Sequence, residues 1–165
     1  MALSAPMADT AKPDEMALFL HANSLKALKR TEEALSYQEC AARLYPQSRA
    51  AWHNLAASLG DLERIDACIT AANKALSLSP VSPETLIVKA RACVSAGRFD
   101  EAVATYEQAL TLRPHYADAL RELSQLIWMQ TGDLKAAEAP FDRADRLGTD
   151  PIVAIRRSRL YYYAQ

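Results

Sequence analysis

The stretch GRFDEAVATYEQALTLRP, Gly97 to Pro114, decides how the chain is read. A glycine opens it, a proline closes it, and small, aromatic and charged residues lie between them at helical spacing. Gly97 suits the end of a preceding helix, where a left-handed backbone costs a glycine little. Pro114 has no N–H with which to continue the helix behind it. The stretch holds no nucleophile beside a base, no metal-ligand spacing and no glycine-rich phosphate loop. Its information lies in its recurrence.

Working outward, Pro46, Pro80 and Pro114 are spaced by 34 residues, with Pro151 slightly late. Five residues before each of the first three prolines stands an alanine: Ala41, Ala75 and Ala109. Twelve before stands a small residue: Ala34, Cys68 and Ala102. Large apolar residues recur at Leu18, Trp52, Leu86 and Leu120, each followed four residues later by a small one, Ala22, Ala56, Ala90 and Ser124. Several independent positions agree on one period, which defines a repeat. The units are 15–48, 49–82, 83–116 and 117–151, each expected to hold two helices. In the third they are placed near 83–96 and 99–112. One unit cannot bury its apolar face alone, so stacked units supply the core.

Three local departures carry their own expectations. The fourth unit has one extra residue before Gly132, placed at the end of its first helix, after which Ala137, Phe141 and Ala144 resume the pattern. Gly60 comes three residues early in the second unit, which predicts a shifted turn there. Pro140 falls inside the second helix of the fourth unit, where it removes a hydrogen bond and predicts a local bend without loss of the repeat.

These residues resemble the tetratricopeptide repeat family, whose unit is a helix-turn-helix of 34 residues. The third unit carries the resemblance through Leu86, Ala90, Gly97, Ala102, Tyr106, Ala109 and Pro114. The second carries it through Trp52, Leu55, Ala56, Ala75 and Pro80, and the first through Leu18, Ala22, Ala34, Ala41 and Pro46. The resemblance implies an all-α fold, a right-handed superhelical solenoid of about four repeats plus a partial capping helix. The expected layout is a flexible leader at 1–13, a repeat domain at 14–151 and the cap at 152–165.

The resemblance also implies a concave groove, lined by the first helix of each pair, that takes a protein or peptide ligand. Carried onto this chain, the groove holds Phe19, Asn23 and Lys26, then His53, Ala57 and Asp61, then Glu84, Ile87 and Arg91, then Arg121, Gln125 and Trp128. Its chemistry is mixed, suited to a peptide with apolar anchors and a few charges. One subclass of the family clamps the C-terminal carboxylate of chaperones with lysines, asparagines and an arginine. Asn23 and Asn54 match its asparagines, but Phe19, Glu84 and Val88 stand where basic residues belong. A carboxylate there loses its charge partners and meets Glu84.

Residues with chemical potential are scattered. His21, His53 and His115 lie in different units at different repeat positions, so no shared metal site and no cofactor is expected. His53 alone falls on the groove face. Cys40, Cys68 and Cys93 form no Cys-x-x-Cys pair and read as small apolar fillers in a reducing, cytoplasmic setting. Glu138, Asp142 and Asp145 alternate with Arg143 and Arg146 as a solvated helix face. Trp128 offers an aromatic anchor for a partner, or packs on the next helix, with Arg91 and Arg121 in reach of an acidic partner.

Nineteen basic and twenty acidic residues leave a net charge of −1, which argues against non-specific nucleic-acid binding. No run of about 18 apolar residues spans a membrane, and the N-terminus lacks a basic region followed by an apolar one. At the C-terminus, Tyr161–Tyr163 wrap around a helix, which points to self-association through that end. The function expected is a non-catalytic protein-interaction scaffold or adaptor. The alternative is a substrate-recruitment or dimerisation domain of a larger enzyme, a transferase or oxygenase, whose catalytic part lies beyond Gln165.

Overall fold

Helix formers fill the chain between evenly spaced stops, and the computed structural model shows what they build. It describes residues 13–163, with only the backbone at Arg159 and at 161–163. Every regular element among the described residues is helical. In order they are α1 (Glu15–Ala27), α2 (Thr31–Leu44), α3 (Arg49–Asp61), α4 (Ile65–Leu78), α5 (Pro83–Ser95), α6 (Phe99–Leu112), α7 (Ala117–Thr131), α8 (Leu134–Asp145) and α9 (Pro151–Tyr163). They form an all-α solenoid of four antiparallel pairs with α9 at the end. Each of α2, α4 and α6 packs against its own first helix and against the first helix of the next pair, while α9 lies mainly on α7.

The small-residue slots explain the stacking. Ala34, Cys68, Ala102 and Ala137 occupy one slot, Ala75 and Ala109 another, Ala56, Ala90 and Ser124 a third, and all nine are fully buried. A small side chain at a helix crossing lets two backbones approach, and the larger Leu86, Leu120, Tyr106 and Phe141 fill the space on either side. The second helices of the first three pairs end with the N–H of the C-cap residue on an alanine-slot carbonyl. Tyr45 donates to Ala41 at 2.8 Å, Ser79 to Ala75 at 3.1 Å and Arg113 to Ala109 at 2.9 Å, just before the prolines.

The turns inside the pairs are equally regular. The N–H groups of Arg30, Arg64 and Arg98 donate to Leu25, Leu59 and Cys93, each at 2.9 Å, closing the six-residue loop that ends a helix on a left-handed residue. That residue is Lys29 (φ 62°), Glu63 (φ 57°) and Gly97 (φ 71°) in the three units. The shifted turn expected from Gly60 is therefore absent. Glu63 takes the left-handed position at the unshifted place, and Gly60 sits inside α3, where a β-carbon would meet the Cys68 sulfur at 3.4 Å. A side chain with a β-carbon at a left-handed backbone costs about 1 kcal/mol relative to glycine. Glu63→Gly is expected to raise stability by about that amount in urea unfolding, and Gly97→Ala to lower it similarly.

The extra residue of the fourth unit lies where expected. α7 has 15 residues against 13 in α5, and Gly132 (φ 64°) closes it with its N–H on the Trp128 carbonyl at 2.9 Å. α8 runs through Pro140, so the helix pair is kept although the Ala136 carbonyl receives no N–H from that position.

Arginines tie neighbouring pairs together on the outer side. Arg64 reaches back to Glu32 at 2.9 Å and Arg98 to Asp66 at 3.2 Å, the same contact one repeat apart, and Arg143 reaches Glu107 at 2.6 Å. The leader expected over 1–13 lies, apart from Pro13, outside the described residues, as do the side chains of Tyr161–Tyr163 on which the expected self-association rests.

Candidate functional site

The first helices α1, α3, α5 and α7 carry the predicted groove positions, and their surroundings differ from seam to seam. At the first seam α1 and α3 are separated by a cavity of about 570 Å³. Phe19 and Asn54 line it, with Leu18, Gln38, Ala41, Ser48, Ala50 and Ala51 around its walls and Asp14 and Glu15 among its lining. Asp14 caps α1 by accepting from the N–H groups of Met16 and Ala17, and Glu15 accepts from the Ser48 hydroxyl. Gln38 is 4% exposed, and its Oε1 has no hydrogen-bond partner among the described residues. Further along the seam, Asn23 is exposed and Lys26 pairs with Asp61 at 2.8 Å.

The second seam is bridged by side chains. His53 Nδ1 lies 2.9 Å from the Thr85 hydroxyl, which lies 2.8 Å from that of Ser82, and Arg49 donates to Ser82 at 3.3 Å. Burial holds His53 below its ordinary pKa, helped by Arg49 and Lys26 and opposed by Glu84. A depressed histidine pKa favours folding fully above the unfolded value, about 6.5, and that advantage is lost as pH falls through the folded value. Lowering the pH from about 7.5 to about 5 is expected to reduce the melting temperature more in the wild type than in His53→Asn. Equal losses would show that His53 does not couple to folding. Ile87 does not belong to an exposed groove: it is 2% exposed, because at its register position the helices close over it and it joins the core.

At the third seam the two predicted arginines share one carboxylate. Arg91 binds Glu122 through two bonds of 2.8 Å, Arg121 donates to it at 2.7 Å, and the Tyr106 hydroxyl donates to it at 3.0 Å. Burial and the Glu122 carboxylate push the Tyr106 phenol well above its ordinary pKa, so it stays a donor. Arg91, Tyr106, Glu122, Gln125 and Met129 border a second hollow of about 370 Å³. Trp128 is half-buried and packs on the core, so much of its surface is already used.

Gln38 and Glu122 are the two residues that sequence reasoning missed. Gln38 occupies the slot filled by Tyr106 and Phe141 in later units, a polar residue in an aromatic position that the repeat alignment makes visible. Glu122 neighbours Arg121, and only the packing of α5 and α7 on α6 shows that Arg91 and Tyr106 converge on it. Among the described residues no group of three or more His, Cys, Asp or Glu side chains is placed to hold a metal ion. Cys68 and Cys93 are buried, and burial pushes the Cys68 thiol up to about 11.

Two family profiles described as tetratricopeptide repeat match residues 47–115 and 87–151. The chain belongs to the tetratricopeptide repeat family. No curated protein matches the sequence. Among solved structures it is similar to MamA (residues 41 to end) from Desulfovibrio magneticus RS-1, at 16% identity and a TM-score of 0.72, over 81% of this chain and 75% of that one. It is also similar to the first repeat domain of Spaghetti (RPAP3) bound to the HSP90 peptide SRMEEVD, at 19% identity and a TM-score of 0.68, over 76% and 98% of the two chains. The repeat domain of Arabidopsis OM64 matches at 20% identity and a TM-score of 0.65, over 68% and 93%. At these identities the likeness is one of fold.

Proposed function

We propose that the chain is a non-catalytic scaffold that holds a peptide segment of a partner protein along α1, α3, α5 and α7. The observation that carries this reading is the largely apolar cavity at the first seam, which opens beside Phe19 and Asn54 of the predicted groove. Asn23, His53, Arg91, Arg121, Gln125 and the exposed part of Trp128 complete the surface, while buried Ile87 supports it from beneath. The peptide bound by the RPAP3 domain ends in Glu-Val-Asp. Here Phe19, Glu84 and Val88 stand at the clamp positions, and Glu84 is engaged with Arg113 at 2.5 Å, so a different peptide chemistry is favoured.

A net charge of −1 and arginines paired with carboxylates favour a protein partner over nucleic acid. No helix among the described residues is long and apolar enough to cross a membrane. The free cysteines support a reducing, cytoplasmic compartment. The test is selection from a displayed peptide library, followed by mapping of the selected peptide by amide shifts. The expected result is perturbation along α1, α3, α5 and α7, with weakened binding by the Arg121→Ala/Trp128→Ala double variant. Perturbations confined to α2, α4, α6 and α8, or failure to select any peptide, would overturn the reading.

A further inference from the structure

We propose that the cavity at the first seam receives the side chain of a tyrosine from the partner peptide. The inference rests on the scaffold reading and specifies the chemistry of its anchor. The third seam lies two repeat periods along the chain from the cavity. Gln38 corresponds to Tyr106, Ser48 to Tyr116, Ala50 to Asp118 and Asn54 to Glu122. At the third seam the chain supplies both rings itself. Tyr106 is 2% exposed with its hydroxyl on Glu122 at 3.0 Å, and Tyr116 packs against the core under the Arg113 guanidinium, 4.7 Å from its ring centre. At the second seam His53, Thr85 and Ser82 bridge the gap with hydrogen bonds.

At the first seam both aromatic positions are truncated, and the counterparts of His53 and Thr85 are Phe19 and Ala51, which cannot bond to each other. What remains is a cavity of about 570 Å³ with apolar walls from Leu18, Phe19, Ala41, Ala50 and Ala51. That volume lies in the range of sites that enclose a ligand group. A wholly apolar occupant leaves the polar side chains of Gln38 and Asn54 in the cavity lining without a partner from the ligand. A ring bearing one hydrogen-bonding group supplies that partner. The phenol takes the space that Tyr106 and Tyr116 fill elsewhere, and its hydroxyl bonds to the side-chain amide of Gln38 or Asn54. Asp14 and Glu15 in the lining disfavour a phosphorylated ring and favour a basic residue beside the tyrosine.

The test uses the 165-residue chain, labelled for amide and side-chain NH2 shifts, and three probes: N-acetyl-tyrosinamide, N-acetyl-phenylalaninamide and N-acetyl-phosphotyrosinamide. The expected result is saturable movement of the Gln38 and Asn54 signals by the tyrosine probe. Its preference over the phenylalanine probe should be about fivefold, the worth of one net hydrogen bond, with no binding of the phosphorylated probe. Gln38→Tyr should abolish the response by filling the cavity from within. Gln38→Met, which keeps the volume, should bind the tyrosine and phenylalanine probes more nearly alike.

Equal affinity of the tyrosine and phenylalanine probes for the wild type, an unchanged response in Gln38→Tyr, or no response at Gln38 and Asn54 would overturn the assignment. So would cross-peaks in the free protein placing residues 1–12 against Ala50 and Ala51, since the chain would then fill the site itself. Peptide selection reads the scaffold separately. A selected peptide mapping to α5 and α7, without a tyrosine response at Gln38, rejects this pocket and keeps the scaffold.

Discussion

Replacing Tyr106 by alanine is expected to cost about 3–5 kcal/mol of folding stability, the range for deleting a buried aromatic side chain. Two effects add. The ring is almost completely enclosed between α5, α6 and α7, so its removal opens a void at the centre of the array. Its hydroxyl also leaves Glu122, whose side chain is only 14% exposed, although Arg91 and Arg121 still hold that carboxylate. Tyr106→Phe separates the two, losing the hydrogen bond alone, and should cost about 1 kcal/mol. Urea unfolding followed by far-ultraviolet circular dichroism reads both. A cost for alanine no larger than for phenylalanine would mean that the seam collapses around the missing ring.

Phe141→Ala is expected to cost a similar amount, about 3–5 kcal/mol, with a different spatial signature. Phe141 is fully buried in α8 and shares the core with Leu120, Leu123 and Val153. In a stacked array each unit touches only its neighbours, so damage at one end releases that end first. Hydrogen exchange should show lost protection in α8 and α9 while α3 and α4 keep theirs. Uniform loss across all four pairs would show that the solenoid unfolds as one block.

The fold was legible because the positions that decide it are small residues at a fixed period. Ala34, Cys68 and Ala102 mark helix crossings whatever the rest of the sequence does. Glycine was a poorer guide. Gly97 marks a turn, but Gly60 answers to the sulfur of Cys68, and the equivalent turn uses Glu63 in a left-handed backbone held by the hydrogen bond from Arg64 to Leu59.

The depth of the candidate site was not legible in the sequence. Phe19 and Asn54 line one cavity, whereas Ile87 at the same register as Phe19 is buried by its neighbours. Charge pairing across seams is also invisible in a linear reading. Arg91 and Glu122 are 31 residues apart, and their contact exists only because α5 and α7 both pack on α6.

The arginine contacts on the outer side also bear on how the gene can change. Arg98 stands to Asp66 as Arg64 stands to Glu32. An in-frame loss of the 34 codons for residues 65–98 sets Arg64 directly before Phe99, at the start of a second helix and still facing Glu32. Duplication of the same block inserts a copy that finds matching neighbours on both sides. Recombination in whole periods therefore lengthens or shortens the coding sequence while preserving this junction.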